Sequence, residues 1–295
     1  MLVGEYAVVL GGSALSIPFP RFEAKVRKFS ELTDDQRLEA EQSRAYLSRL
    51  FAYISDLPKH TFHALPDLKL FSSLSDVYWM EMNIPNAYGL GSSGAVSAAI
   101  YDLFFPRAGE MSLEHQREDL AVIESYFHGK SSGVDALTCH AKTALYFHSD
   151  GSIEKVKFDP LKIPGAYRFF LLDSGVQMDT GPLVKYFMQQ MEISGFATSI
   201  RYEYLVINQK LINALLNRGD GDPGMLLRVL SDYQYTHFRK MIPDVMLDAW
   251  IEGQLTNDYY LKLNGSGGGF MLGIAHETSM DSLNQRWGEQ VLWIP

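Results

Sequence analysis

The sequence predicts an α+β protein built as two lobes, on three observations. At 295 residues the chain is long for one hydrophobic core, and an apolar content of 46% is enough to fill two. Apolar runs with strand character alternate with stretches of helical spacing. The two kinds interleave without a regular strand–helix–strand rhythm, which favours α+β over a doubly wound sheet. The boundary falls after Pro164, giving one lobe over 1–164 and a second over 165–295.

Met1–Ile17 is apolar with Gly11-Gly12 in its middle and reads as two strands joined by a turn. Thr33, Asp34, Asp35 and Gln36 form a capping-box pattern, and Leu50, Tyr53, Ile54 and Leu57 continue it at helical spacing until Pro58. Val77–Asn83 reads as a strand, Gly89–Gly94 as a turn and Ala95–Phe105 as a buried helix stopped by Pro106. Ser112 caps a helix running from about Leu113 to Phe127. Thr143–Phe147 and Ile153–Phe158 flank a Ser-Asp-Gly-Ser turn and predict a hairpin. Tyr167–Asp173 is an apolar strand, followed by helical stretches between about Gly181 and Leu255 that break at Asn217–Gly224. Tyr259–Leu263 and Phe270–Ile274 read as strands around the glycines at 265–269.

Composition narrows the function classes. A net charge of -9 argues against a nucleic-acid partner, which calls for a basic face. Cys139 is the only cysteine, so neither an intrachain disulfide nor a cysteine-based zinc site is available. The eight histidines show no metal-binding spacing. No signal peptide opens the chain, and no apolar run reaches the roughly 18 residues of a membrane span. The expectation is a soluble, cytoplasmic protein, monomeric or homodimeric, with no membrane partner.

Three segments carry chemistry. In the first, Pro85-Asn86-Ala87-Tyr88-Gly89-Leu90-Gly91-Ser92-Ser93-Gly94-Ala95, a strand leads in and an apolar helix leads out. Glycines let backbone approach a ligand, and a helix start offers unpaired N–H groups and partial positive charge, which together suit a polyphosphate. Ser92 and Ser93 add hydroxyls for phosphate oxygens or Mg2+. The same pattern also fits a plain turn with a serine cap. The second is Glu124 followed by His128-Gly129-Lys130-Ser131-Ser132-Gly133-Val134-Asp135, which can bring two carboxylates to one phosphate site. Asp135 alone would read as a cap or turn residue. Gly129-Lys130-Ser131 is not the end of a Walker A loop, because Glu124 stands where that loop needs glycine. The third, Lys262-Leu263-Asn264-Gly265-Ser266-Gly267-Gly268-Gly269-Phe270, reads as a loop packed against a ligand or as a linker; its apolar flanks favour the packed loop.

Taken in order and spacing, these segments resemble the GHMP kinases, named for galactokinase, homoserine, mevalonate and phosphomevalonate kinases. Gly4-Glu5-Tyr6-Ala7-Val8-Val9-Leu10-Gly11-Gly12 is similar to the family's first motif, Pro85–Ala95 to its second and Lys262–Phe270 to its third. Glu124 and His128–Asp135 resemble the mevalonate kinase branch, with Ser131 in place of a proline, and Asp173-Ser174-Gly175 and Thr180 fit that branch too. The resemblance implies a two-lobed fold: an N-terminal lobe like ribosomal protein S5 domain 2 and a ferredoxin-like C-terminal lobe. It implies an ATP- and Mg2+-dependent kinase acting on a small-molecule hydroxyl acceptor, mevalonate first, with phosphomevalonate, a sugar, or a non-catalytic metabolite sensor as alternatives.

Carried over by position, the resemblance makes Asp135 the catalytic aspartate and Ser93 and Glu124 the Mg2+ ligands. It makes Gly89, Leu90, Gly91, Ser92, Ser93 and Gly94 the ATP-binding loop. Glu5, Tyr6, Thr180, Gly265, Ser266 and Gly267 fall on the acceptor side. Two departures accompany it. The family's lysine upstream of the first motif would fall before Met1, so the expectation is either a later recorded start or a missing cation. Tyr6 stands where mevalonate kinases carry histidine, a feature more common among phosphomevalonate kinases.

Overall fold

The computed structural model describes residues 1–295 apart from Ser73, Asn86 and Ala87, so two positions of the predicted glycine-rich segment lie outside the described residues. Its main elements follow the chain as β1 (Ala14–Ser16), β2 (Ala24–Lys28), α1 (Arg37–Asp56), β3 (Tyr78–Met82), α2 (Ser92–Phe104), α3 (Leu113–His128) and α4 (Val134–Ala141). Then come β4 (Leu145–Phe147), β5 (Ile153–Lys155), β6 (Tyr167–Asp173), α5 (Thr180–Met191), α6 (Leu205–Leu215), α7 (Pro223–His237) and α8 (Leu247–Thr256). The chain ends with β7 (Tyr259–Leu263), β8 (Phe270–His276), α9 (Met280–Trp287) and β9 (Val291–Trp293). The class is α+β, as expected. Contacts gather these elements into two units: Met1–Ile17 with Asn86–Leu90 and Ala144–Pro295, and Pro18–Pro85 with Gly91–Thr143.

In the Pro18–Pro85/Gly91–Thr143 unit, β2 and β3 pair antiparallel, Val26 opposite Met80. The Thr33–Gln36 capping box forms as predicted and leads into α1, which buries Ala40, Ser43, Leu47, Leu50 and Ile54 along one face. That face packs on β3. Helix α2 packs against β2, α3 and α4, with Ala95, Val96, Ala98, Ile100, Tyr101 and Phe104 buried. A helix apolar on most sides belongs in a core. Asp119 of α3 is fully buried and satisfied: it accepts from His63 N–H (2.7 Å), Ala64 N–H (2.9 Å) and Tyr101 OH (2.9 Å). This carboxylate fixes α3 against α2 and the 62–64 segment.

In the other unit, β1, β4 and β5 form one sheet, and the β4–β5 pair is the predicted hairpin. A second antiparallel sheet runs β7-β8-β6-β9, with Leu171 of central β6 opposite both Leu272 and Leu292. Strands β7 and β8 read as continuous apolar runs because both are almost wholly buried. Helices α7 and α8 pack on β7.

Several elements differ from the sequence expectation. Only Val3 bridges to Leu15 before the chain winds into a 3-10 turn at Val8–Leu10, so Met1–Ile17 is not a pair of full strands. The turn is closed by Gly11 in the left-handed region, φ 75°. Helix α2 starts at Ser92 and not at Ala95, because glycine and two serines fit a first turn packed against another helix. Strands β2 and β9 and helices α4 and α9 were not anticipated.

Candidate active site

The Gly91–Thr143 stretch brings two helix starts together. Gly91 caps α2 in the left-handed region (φ 66°) without a side-chain cap, and Gly133 does the same for α4 (φ 72°). Glycine is favoured at Gly91 by its left-handed φ, and a Cβ there would also crowd Asp135, lying 3.0 Å from its Cβ and 3.2 Å from its Oδ2. Gly94, one turn inside α2, is pressed as closely: its Cβ would meet Ala136 N at 2.8 Å. The first turns of α2 and α4 therefore pack backbone to backbone, with half-buried Asp135 between α4 and the capping glycine. Both helix starts present their positive ends here.

Behind Asp135 lies Glu124, buried late in α3. Ser93 Oγ of α2 donates to Glu124 Oε1 at 2.9 Å, and Ser131 Oγ donates to Glu124 Oε2. Burial, then the Asp135 charge, pushes the Glu124 carboxyl up to about 7 from the ordinary 4.5, while the two hydroxyls pull it down. Burial and the Asp135 charge also push the Cys139 thiol up to about 12, which leaves it no thiolate character at neutral pH. A pair of acids crowded this way favours a cation beside it. Among the described residues no group of three or more His, Cys, Asp or Glu forms a metal cluster. One or two carboxylates plus a hydroxyl is the protein's share of a Mg2+ site whose remaining ligands are phosphate and water. Ser93 and Glu124, beside the Asp135 charge, thus fit a metal that arrives with a nucleotide.

The Met1–Ile17/Ala144–Pro295 unit gathers the remaining predicted positions. Tyr6 is buried at φ 60°, a conformation costly for a bulky residue, and three contacts hold it there: its OH donates to Ser266 O at 2.6 Å, and its ring packs on Phe187 (4.6 Å) and Phe238 (5.4 Å). Glu5 is buried against Lys262, Nζ to Oε1 at 2.6 Å, and Lys262 also donates to Leu263 O at 2.6 Å. Burial pushes the Lys262 ammonium below its ordinary value, and the Glu5 charge opposes that. Tyr204 OH donates to Glu5 O at 2.6 Å. Ser266 Oγ donates to Thr180 Oγ1 at 3.1 Å at the more exposed end of this group.

The 265–269 loop is no linker. Gly265, Gly267, Gly268 and Gly269 all have positive φ. A Cβ on Gly267 would lie 2.4 Å from Met241 O, and one on Gly269 would lie 2.2 Å from Tyr88 Cα. Asn264 Nδ2 donates to Gly89 O at 3.0 Å, so this loop grips the stretch Tyr88–Leu90 that leads toward α2.

Sequence reasoning therefore named Ser93, Glu124, Asp135, Gly91 and Gly94 as one group, and the fold brings them together; Leu90 and Ser92 flank the cap. It missed the contacts of Ser131, Lys262 and Asn264. For Lys262 the signal was available: a lysine inside the otherwise apolar run Tyr-Tyr-Leu-Lys-Leu needs a buried partner.

Comparison with known proteins follows this geometry. Residues 56–142 match the family model for the GHMP kinases N terminal domain. Leishmania major mevalonate kinase, solved with R-mevalonate, superposes with a TM-score of 0.64 at 16% identity, covering 99% of this chain and 91% of that one. Streptococcus pneumoniae phosphomevalonate kinase, solved with phosphomevalonate and AMPPNP, gives 0.61 at 16% identity over 100% and 95%. Lactococcus lactis galactokinase with galactose gives 0.64 at 12% identity over 99% and 89%. No curated protein matches the chain in sequence. The fold is that of the GHMP kinases. Within it, the stretch that matches the model of that family's N-terminal domain, residues 56–142, includes α2, α3, α4, Glu124 and Asp135.

Proposed function

We propose that this protein transfers the γ-phosphoryl group of ATP, taken up with Mg2+, to a hydroxyl of a small metabolite, with mevalonate the leading acceptor. The observation that carries the reading is Asp135 held against the capping Gly91 of α2, with the Ser93–Glu124 pair behind it. Bound Mg·ATP supplies the transferable phosphoryl group and neutralises its charge.

The chain's own groups supply position and proton handling. The N–H groups of the first turn of α2 and the glycines at 91 and 94 bind phosphate oxygens. Ser93 Oγ and the Glu124 carboxylate would be the metal's protein-side ligands. Asp135 accepts a hydrogen bond from the acceptor hydroxyl, orients its oxygen for in-line attack and takes its proton. The family resemblance alone assigns the Thr180 and Ser266 hydroxyls, paired with each other in their own unit, to acceptor recognition. Glu5 and Tyr6 support that pair from inside, given their burial. The related folds solved with R-mevalonate, phosphomevalonate and galactose support an acceptor of small hydroxyl-bearing type.

The test is ADP release with Mg·ATP and a panel of mevalonate, phosphomevalonate and sugars, for the chain and for Asp135→Asn. Turnover on one acceptor that is lost in Asp135→Asn is the expected result. ATP binding with no turnover on any acceptor would replace the kinase reading with that of a metabolite sensor.

A further inference from the structure

Glu124 reaches its position through a soft torsion. The last dihedral of a glutamate is broad, so the plane of its carboxylate must be imposed by whatever bonds its two oxygens. Here one hydroxyl takes each: Ser93 Oγ on Oε1 and Ser131 Oγ on Oε2. Ser93 comes from α2. Ser131 comes from the turn between α3 and α4 and has further bonds there. Its oxygen accepts from Gly133 N–H at 3.0 Å, and its own N–H donates to Ser125 Oγ at 3.2 Å. Ser125 Oγ in turn donates to Ala121 O at 2.6 Å, anchoring the turn to the body of α3. One hydroxyl thus joins the buried acid of α3 to the glycine that starts α4, two residues before Asp135.

We propose that Ser131 is a positioning residue for the metal–nucleotide site, setting the plane of the Glu124 carboxylate and tying it to the turn that presents Asp135. The inference rests on the kinase reading of that site. Each carboxylate oxygen has two lone-pair directions, so a hydroxyl on one leaves the other for a cation. Without the Ser131 hydroxyl, Oε2 loses the bond that fixes the plane, and the ligand atoms lose their preorganisation. Outer groups that orient a metal ligand characteristically control affinity in this way. A proline at 131 could make none of these bonds, having neither hydroxyl nor N–H.

The test uses the full chain with Mn2+ as a spectroscopic stand-in, titrated with ATP present and followed by electron paramagnetic resonance. Four variants are compared with wild type: Ser131→Ala, Ser131→Val, Ser131→Thr and Glu124→Gln. Valine and threonine have the same shape, so their contrast isolates the hydroxyl even if the alanine variant folds poorly. The expected result is about tenfold weaker Mn2+ uptake in Ser131→Ala and Ser131→Val, with Ser131→Thr within about twofold of wild type. Metal-free ATP binding stays unchanged in all three Ser131 variants. If Ser131→Val matches Ser131→Thr, or Ser131→Ala binds Mn2+ as wild type while Glu124→Gln does not, the positioning role is overturned and the kinase reading stands. If wild type takes up no Mn2+ with ATP, the kinase reading itself falls.

Discussion

Replacing Lys262 with methionine tests whether the buried ion pair holds the Glu5 segment as the geometry implies. The Lys262 side chain is 0% exposed and that of Glu5 2%, so water cannot take over when one partner goes. Glu5 Oε1 has Lys262 at 2.6 Å, whereas Glu5 Oε2 is buried with no hydrogen-bond partner among the described residues. The carboxylate's charge therefore leans on one ammonium. Breaking a buried pair from one side costs about 3–5 kcal/mol, and with Oε2 already unpartnered the upper half of that range applies. For a chain of this size that is a drop in thermal midpoint on the order of 10 °C. The assay is urea unfolding of Lys262→Met, Glu5→Met and the double variant. Replacing both members with apolar side chains removes the charge with its partner, so the double variant should return to within about 2 kcal/mol of wild type. A Lys262→Met variant that loses less than about 1 kcal/mol, or a double variant whose loss equals the sum of the singles, would refute the reasoning.

Asp135→Asn should lower kcat by about 10²–10⁴-fold, the range for removing a general base, with ATP affinity within a few-fold of wild type by calorimetry. Glu124 ties stability to pH in the absence of metal. Its carboxyl lies above its ordinary value in the folded protein, so the folded state holds that proton more tightly and loses stability as pH rises toward about 7. Between about pH 5.5 and 8 the group removes about 2 kcal/mol, which Glu124→Gln should abolish; parallel pH profiles for the two proteins by urea unfolding in chelator would contradict this. Gly91→Ala puts a methyl 3.0 Å from Asp135 Cβ on a left-handed residue, and should cut turnover more than it cuts thermal stability. Equal activity in that variant would mean the contact between the capping glycine and Asp135 is not used.

The candidate site groups were legible through the order and spacing of the three segments and the family resemblance they carry, since each alone also reads as a cap or turn at a punctuation mark in the chain. Ser92-Ser93 follow a glycine cap, Asp135 follows Gly133, and Glu124 precedes the turn at Gly129. Local sequence encodes the caps and turns at such positions but not their roles. What it did not encode was which hydroxyl would bond Glu124: Ser125, Ser131 and Ser132 lie within eight residues, and only the fold of the 129–133 turn selects Ser131. The Glu5–Lys262 pair spans 257 positions, beyond any periodic signal. The strand β2, Ala-Lys-Val-Arg-Lys, hid because its exposed residues are charged, and β9 because three residues are too few for a pattern. The early start of α2 was hidden by glycine and serine, which read as turn formers until tertiary packing needs their small size.

The central claim is phosphoryl transfer, and 31P NMR of a single reaction tests it most directly. With Mg·ATP and mevalonate, the account predicts loss of the γ-phosphate resonance and growth of ADP together with a new phosphomonoester signal, in the wild-type chain and not in Asp135→Asn. An ATP spectrum that stays unchanged with every acceptor offered, or one that yields only inorganic phosphate, would contradict it.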